Sequence, residues 1–348
     1  MDNYSVLDKV FHRLVLGADF LGEALYDLEA KQYGKKARRD VRPVFVSGLA
    51  RAGTTVLMRA LYETEAFASL TYRDMPGVMA PNFWGAISSK TQKTGRSQER
   101  AHGDGVVVSF DSPEALDEVF WRIFCGDSYI GKSTLRPHSI PTDVMEKFKN
   151  YMGLVCLKYG KDRYLSKNNN NILRLNALSS ALPGATFLIP FRDPMAQAKS
   201  LRTQHKRFST GSAFEQSYMT WLGHHEFGAT HKPFHFECGW EPRGTPDSLE
   251  YWLGVWCHVY DNVAQIITEG PDNLIPVGYE ALCQNDDVWD GIRQKIGVAE
   301  AGPVDFTVRN DAPLEVNNTA LMEKARAIYA VLDALSQTRL NANVEVEG

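Results

Sequence analysis

A short glycine-rich segment, residues 48–55, constrains this chain more than any other feature of its sequence. It reads GLARAGTT, follows the apolar run PVFVS and precedes the helical pattern TTVLMRALYETEAF. β-Branched and aromatic residues between a proline and a glycine predict a short buried strand. A strand, a glycine loop and a helix N-terminus in this order form the context of a phosphate-binding loop. The sequence therefore predicts that the chain binds a phosphate or a similar anion here.

The loop lacks the lysine that reaches the outer phosphates in nucleoside-triphosphate enzymes. Thr54 occupies that position, and Arg51 is the one cation within the segment. Gly48 and Gly53 let backbone N–H groups turn inward, and the start of the following helix adds partial positive charge. Arg51 can donate two hydrogen bonds to one anion, and the hydroxyls of Thr54 and Thr55 can donate to the same group.

Strands and helices alternate along the remaining chain, which predicts an α/β fold with a parallel, doubly wound sheet. Further strands are predicted at RYLSK, ATFLIPFRD and NLIPVG, and long helices over 141–160, 194–208, 212–228 and 247–269. We expect one domain over residues 1–348, with a P-loop-like central parallel sheet between layers of helices. Residues 1–40 are predicted to form a helix and a basic linker, and residues 70–111 an inserted loop region that shapes the acceptor site.

The composition excludes several classes of protein. A net charge of −4 argues against a nucleic-acid partner, which would require a basic face. No apolar run approaches the roughly 18 residues of a membrane span, and the N-terminus lacks the order of a secretory signal. Five cysteines, an odd number without a CxxC pair, favour reduced thiols over a disulfide framework. We expect a cytoplasmic protein with neither a nucleic-acid nor a membrane partner.

Three further segments place polar side chains where predicted parallel strands end, which is where ligands of such sheets bind. The segment FLIPFRDP ends in Arg192, and Ser200 follows two turns along the next helix. Together these two residues predict a second phosphate pocket, separate from the first. YLSKNN places Lys167 just past a strand, and PVGYEAL does the same for Tyr279.

This combination resembles the sulfotransferase family. FVSGLARAGTTVLMRAL is similar to the family's phosphosulfate loop, except that Ala52 replaces the usual serine. LIPFRDPMAQAKS is similar to its 3′-phosphate segment, with the family's spacing from Arg192 to Ser200. Lys167 stands at the family's usual lysine, although Asn169 replaces a common proline. The resemblance covers roughly residues 42–70 and 160–285.

The resemblance implies the donor 3′-phosphoadenosine-5′-phosphosulfate (PAPS) and the product adenosine 3′,5′-bisphosphate (PAP). It implies that Arg51 and Lys167 stabilise the charge that develops during transfer. The 5′-phosphate would lie in the loop and the 3′-phosphate at the second pocket. The implied donor-binding residues are Gly48, Arg51, Ala52, Gly53, Thr54, Thr55, Arg192, Ser200 and Tyr279. No metal is predicted, because neither strand end supplies a carboxylate followed by an Mg²⁺-binding hydroxyl pattern. The histidine-rich stretch at 224–238 likewise has no recognised zinc spacing.

Transfer to a hydroxyl also requires a general base, and the sequence leaves its identity open. The candidates are Asp74 in YRDMP, His102 in AHGDG and, less favoured, His205, His224 and His225. The acceptor is expected to be a small molecule, a glycan or a peptide. A P-loop kinase and a catalytically idle nucleotide-binding protein are the alternative functions. The absent loop lysine and the pair of Arg192 with Ser200 argue against the kinase.

Overall fold

The computed structural model describes residues 6–88, 98–99, 107–108, 115–236, 240–298, 306 and 318–342. A parallel sheet of four strands runs through this part of the chain in the order β4-β1-β5-β6. Its strands are β1 Val44–Val46, β4 Leu165–Lys167, β5 Thr186–Phe191 and β6 Leu274–Gly278. Two short strands, β2 Gln98–Glu99 and β3 Val107–Val108, form a separate antiparallel pair.

Helices cover the sheet on both faces. In chain order they are α1 Val6–Gly17, α2 Asp19–Tyr33, α3 Thr54–Glu63, α4 Pro81–Ser88, α5 Glu118–Tyr129, α6 Thr142–Tyr159, α7 Leu175–Ala181, α8 Pro194–Ser209, α9 Ala213–Trp221, α10 Leu249–Glu269, α11 Tyr279–Gln284, α12 Asp286–Ile296 and α13 Thr319–Asn341. Two 3-10 helices, Tyr72–Asp74 and Asn169–Arg174, complete the described elements. None of the described helices is long and apolar enough to cross a membrane.

The strands are buried because both of their faces contact helices. Phe45 and Phe187 point to one face and stack on each other with ring centroids 5.0 Å apart. Val44 and Val46 point to the opposite face, where they pack with Leu57 of α3. Side chains alternate along a strand, so an uninterrupted apolar run supplies both sides of a sheet that is covered twice. The predicted fold class is therefore confirmed.

Three predicted segments differ from the structure. The helix predicted over 212–228 ends at Trp221, because Gly223 adopts a φ of 72° that a right-handed helix cannot contain. The N-terminal region contains two helices, α1 and α2, where one was predicted. The region predicted as a loop over 70–111 includes Tyr72–Asp74, α4 and the β2–β3 pair.

Candidate active site

The glycine-rich loop connects β1 to α3 at the carboxyl end of the sheet. Gly53 has a φ of 88° and Arg51 a φ of 71°, so the backbone reverses twice before α3 begins at Thr54. A Cβ atom on Gly48 would lie 2.6 Å from the carbonyl oxygen of Pro190, and one on Gly53 would collide with the Tyr279 ring. Glycine is therefore required at both positions, because neighbouring atoms come too close for a side chain. The ten-residue helix α3 directs its N-terminus at the loop.

The backbone of the loop is supported by a buried side chain that was not predicted from the sequence to belong to the site. Gln197 of α8 donates from Nε2 to the carbonyl oxygens of Leu49 and Ala50, at 3.3 and 3.0 Å. Its Oε1 accepts a hydrogen bond of 2.9 Å from Nε1 of Trp256. Because Gln197 is fully buried, its amide orientation is fixed by the core. In the sequence, this role was indicated by a polar residue on the face of α8 that packs against the core.

The structure brings the two predicted anion segments into contact. Nε of Arg51 in the loop donates to Oγ of Ser200 on α8 at 3.0 Å. The sequence predicted that Ser200 would belong to a pocket separate from the loop. The observed hydrogen bond instead brings the two segments into direct contact, because the first turns of α8 pack against the loop that Gln197 supports.

Arg192 follows β5 and lies against the start of α11. Its guanidinium carbon is 5.1 Å from the centroid of the Tyr279 ring, and its Nε is 3.9 Å from Oε1 of Glu280. Glu280 also accepts a hydrogen bond of 3.0 Å from the backbone N–H of Asp193. The Asp193 carboxylate caps α8 by accepting from the N–H of Ala196 at 2.8 Å. Burial raises the pKa of Tyr279 to about 12, so its hydroxyl is neutral at physiological pH.

Lys167 lies in register with the end of β1, beside the start of the loop. Its Cα is paired with that of Val46 across the β1–β4 ladder, and its side chain is almost fully buried. The next residue, Asn168, donates from Nδ2 to Glu118 at 2.7 Å and to Asp117 at 3.3 Å. The backbone around Lys167 is therefore fixed by a network of buried polar groups below it.

The core of that network is an ion pair that the sequence did not predict. Glu118 accepts hydrogen bonds of 2.9 and 3.0 Å from the two terminal nitrogens of Arg174, and both side chains are fully buried. Burial opposes ionisation of Glu118, but attraction to Arg174 outweighs it, and its pKa is lowered. Burial raises the pKa of the neighbouring Asp117 to about 6. In the sequence, this buried polar network was indicated by two adjacent acids, Asp117 and Glu118, within the apolar pattern EALDEVF.

Of the two leading candidates for the general base, Asp74 has the surroundings of a structural carboxylate. It is fully buried and accepts hydrogen bonds from the Thr71 N–H at 2.7 Å and the Tyr159 hydroxyl at 2.6 Å. It also forms an ion pair with Lys158. These contacts leave no opening for a substrate hydroxyl. His102 lies outside the described residues.

The remaining predicted donor-binding residues lie in the loop or directly after it. Ala52 is fully buried, and its small side chain lets the loop pack closely. Thr54 is buried and Thr55 is partly exposed, both in the first turn of α3. Among the residues that the structure describes, no group of three or more histidine, cysteine, aspartate or glutamate side chains could hold a metal ion.

Comparison with known proteins gives a family match and two solved structures of similar fold. The model of the sulfotransferase family matches residues 43–233. Among solved structures, sulfotransferase STF1 from Mycobacterium tuberculosis H37Rv is similar, with a TM-score of 0.50 and 14% sequence identity, over 97% of this chain and 87% of its own. Sulfotransferase STF9 from Mycobacterium avium has a TM-score of 0.46 and 12% identity, over 94% of this chain and 77% of its own. No curated protein matches the chain.

Proposed function

Because this chain belongs to the sulfotransferase family, we propose that it transfers a sulfuryl group from PAPS to a hydroxyl of an acceptor. The observation that best supports the proposal is the hydrogen bond of 3.0 Å between Arg51 and Ser200. It joins the anion-binding loop to the helix that follows Arg192. One ligand that carries anions at the 5′ and 3′ positions of the ribose of an adenosine would contact both segments at once.

The residues present fit such a donor. The loop N–H groups, the N-terminus of α3 and the hydroxyls of Thr54 and Thr55 would bind the 5′-phosphate. Arg192 and Ser200 would bind the 3′-phosphate. Glu280 lies 3.9 Å from Nε of Arg192 and helps to orient the guanidinium. Planar guanidinium groups suit phosphate because they donate two parallel hydrogen bonds.

The reaction would be an in-line displacement at sulfur. The acceptor oxygen forms a bond to sulfur, the bond from sulfur to the bridging oxygen breaks, and its electron pair leaves with PAP. Negative charge then builds up on the sulfuryl oxygens and on the bridging oxygen. Lys167 is held by its burial and Arg51, which is half-buried, by its hydrogen bond to Ser200. Cations that are held in place stabilise such a charge without having to reorganise. The acceptor would be a phenol, a carbohydrate or a peptide hydroxyl.

Calorimetric titration with three nucleotides tests the donor. We expect PAP to bind more tightly than adenosine 5′-phosphate, which lacks the 3′-phosphate, and ATP with Mg²⁺ not to compete. Replacement Arg192→Ala should remove the preference for PAP and leave the affinity for adenosine 5′-phosphate unchanged. Preferential binding of ATP with Mg²⁺ would favour a kinase. Binding of PAP without any release of PAP from PAPS would favour an idle binding protein.

A further inference from the structure

The segment at 223–226 packs directly against the residues that follow Lys167. Nδ2 of Asn170 donates to the carbonyl oxygen of Gly223 at 2.9 Å. Nδ2 of Asn169 donates to Oε1 of Glu226 at 2.7 Å. Asn169 is only two residues beyond Lys167, so the segment lies at the same end of the sheet as the proposed site. This placement depends on the early end of α9, because the turn at Gly223 directs the chain back towards β4.

Within this segment a histidine faces a buried carboxylate. Nδ1 of His224 lies 3.5 Å from Oε1 of Glu226, and the two side chains are 15% and 5% exposed. Burial by itself opposes the charge on Glu226, but His224 and the hydrogen bonds from His224 and Asn169 outweigh it and lower the pKa to about 2. A charged carboxylate beside Nδ1 favours the tautomer that carries its proton on that nitrogen. The opposite nitrogen, Nε2, is then a proton acceptor.

Three other described histidines in or near this segment make polar contacts within the protein. His225 is buried, with its Nδ1 3.1 Å from the carbonyl oxygen of Thr230. The ring of His231 lies between a backbone carbonyl and a tyrosine hydroxyl, at 3.1 and 2.8 Å. His205 accepts a hydrogen bond of 3.2 Å from the N–H of Gly228. Each of these rings is held by the protein, and none of them faces a carboxylate within salt-bridge distance in the described part of the chain.

We propose that His224 is the general base of the transfer and that Glu226 is its positioning residue. The inference rests on the proposed function. As the acceptor oxygen bonds to sulfur, its proton passes to Nε2 of His224, and PAP leaves with the electron pair of the broken bond. The imidazolium that forms is stabilised by the Glu226 carboxylate. A histidine oriented by a carboxylate is a recurrent arrangement for general-base catalysis, and such hydrogen bonds often shorten only when the substrate is bound.

Replacement His224→Gln tests the proposal, with His235→Gln as the matched control on a histidine outside the segment. Turnover is measured as release of PAP from PAPS, with 2-naphthol or water as the acceptor. We expect His224→Gln to lower turnover by roughly 10²- to 10⁴-fold. Its affinity for PAP should stay at the wild-type value, because the base acts on the acceptor. The control should retain both turnover and affinity.

The outcomes separate the two proposals. If the wild-type protein does not bind PAP, or binds it without turnover on phenol, carbohydrate and peptide acceptors alike, the proposed function fails. If the wild-type protein is active and His224→Gln retains its turnover, only the assignment of the base fails. Imidazole added to His224→Ala should restore part of the lost rate. A loss of rate that imidazole does not restore would indicate a structural role and overturn the assignment.

Glu226→Gln tests the positioning role with a readout that does not depend on activity. In the wild-type protein we expect ¹⁵N NMR to show the proton of neutral His224 on Nδ1. In Glu226→Gln we expect a mixture of tautomers and a turnover lower by about tenfold or more. If the proton lies on Nε2 in the wild-type protein, that nitrogen cannot accept another, and the proposal is wrong.

Discussion

At the scale of single residues, the site depends on close approaches that only glycine permits. Gly53 combines a φ of 88° with an approach to the Tyr279 ring that leaves no room for a Cβ atom. We expect Gly53→Ala to lose stability through backbone strain and to displace Tyr279, which stacks with Arg192. The free energy of unfolding, measured by urea denaturation, should fall by about 1–3 kcal/mol. The affinity for PAP, measured by calorimetry, should fall by about tenfold or more.

Gly160 supplies the control for this substitution. It ends α6 with a φ of 63°, but a Cβ atom there would meet nothing within 4 Å. Gly160→Ala should therefore lose about 1 kcal/mol of stability from strain alone and retain the affinity for PAP. Equal affinities for PAP in Gly53→Ala and Gly160→Ala would show that the contact with Tyr279 does not matter for binding.

At the scale of elements, α5 and the turn after β4 are joined by the buried pair of Glu118 and Arg174. Replacement Glu118→Gln leaves the Arg174 charge buried without its counter-ion. We expect a loss of about 3–5 kcal/mol in the free energy of unfolding, measured in urea. Turnover should fall in the folded variant as well, because Asn168, next to Lys167, donates to Glu118.

A surface ion pair provides the comparison for Glu118→Gln. Arg38 and Asp162 form a salt bridge with side chains that are mostly exposed. Asp162→Asn should change stability by less than about 1 kcal/mol, because water screens exposed charges. If Glu118→Gln cost no more than Asp162→Asn, the buried pair would not stabilise the site.

At the scale of the whole molecule, buried histidines predict sensitivity to acid. Burial lowers the pKa of His138, His231 and His258 to about 4 each. The unfolded chain, with ordinary histidine pKa values near 6.5, binds more protons between pH 6.5 and pH 4, so stability falls as the pH is lowered through this range. Asp117 acts in the opposite direction, because its pKa of about 6 makes the folded state bind the extra proton above pH 4.

Three histidines outweigh one aspartate, so we expect a net loss of roughly 5 kcal/mol between pH 7 and pH 4.5. Urea denaturation at several pH values measures this directly. Because burial is the first cause of each shift, His258→Gln should flatten the curve between these limits. A stability that stays constant or rises on acidification would contradict the prediction.

The sequence by itself determined the order of the strands along the chain and the residue types at their ends. Apolar runs and the glycine loop are local features, so they predicted the parallel sheet, the anion-binding loop and Arg192 as a site residue. The roles of these residues in donor binding remain predictions. The end of α9 at Trp221, just before the turn at Gly223, was not predicted, because the apolar pattern continued past it.

Only the tertiary structure decided which polar side chains meet. The contact of Arg51 with Ser200, the support from Gln197 and the approach of His224 and Glu226 to the turn after Lys167 each join segments far apart in sequence. The surroundings of each acid likewise decide its role, which the sequence alone does not show. Asp74 is enclosed by its partners, whereas Glu226 faces a histidine. Local patterns do not encode such contacts, because they depend on how the helices pack around the sheet.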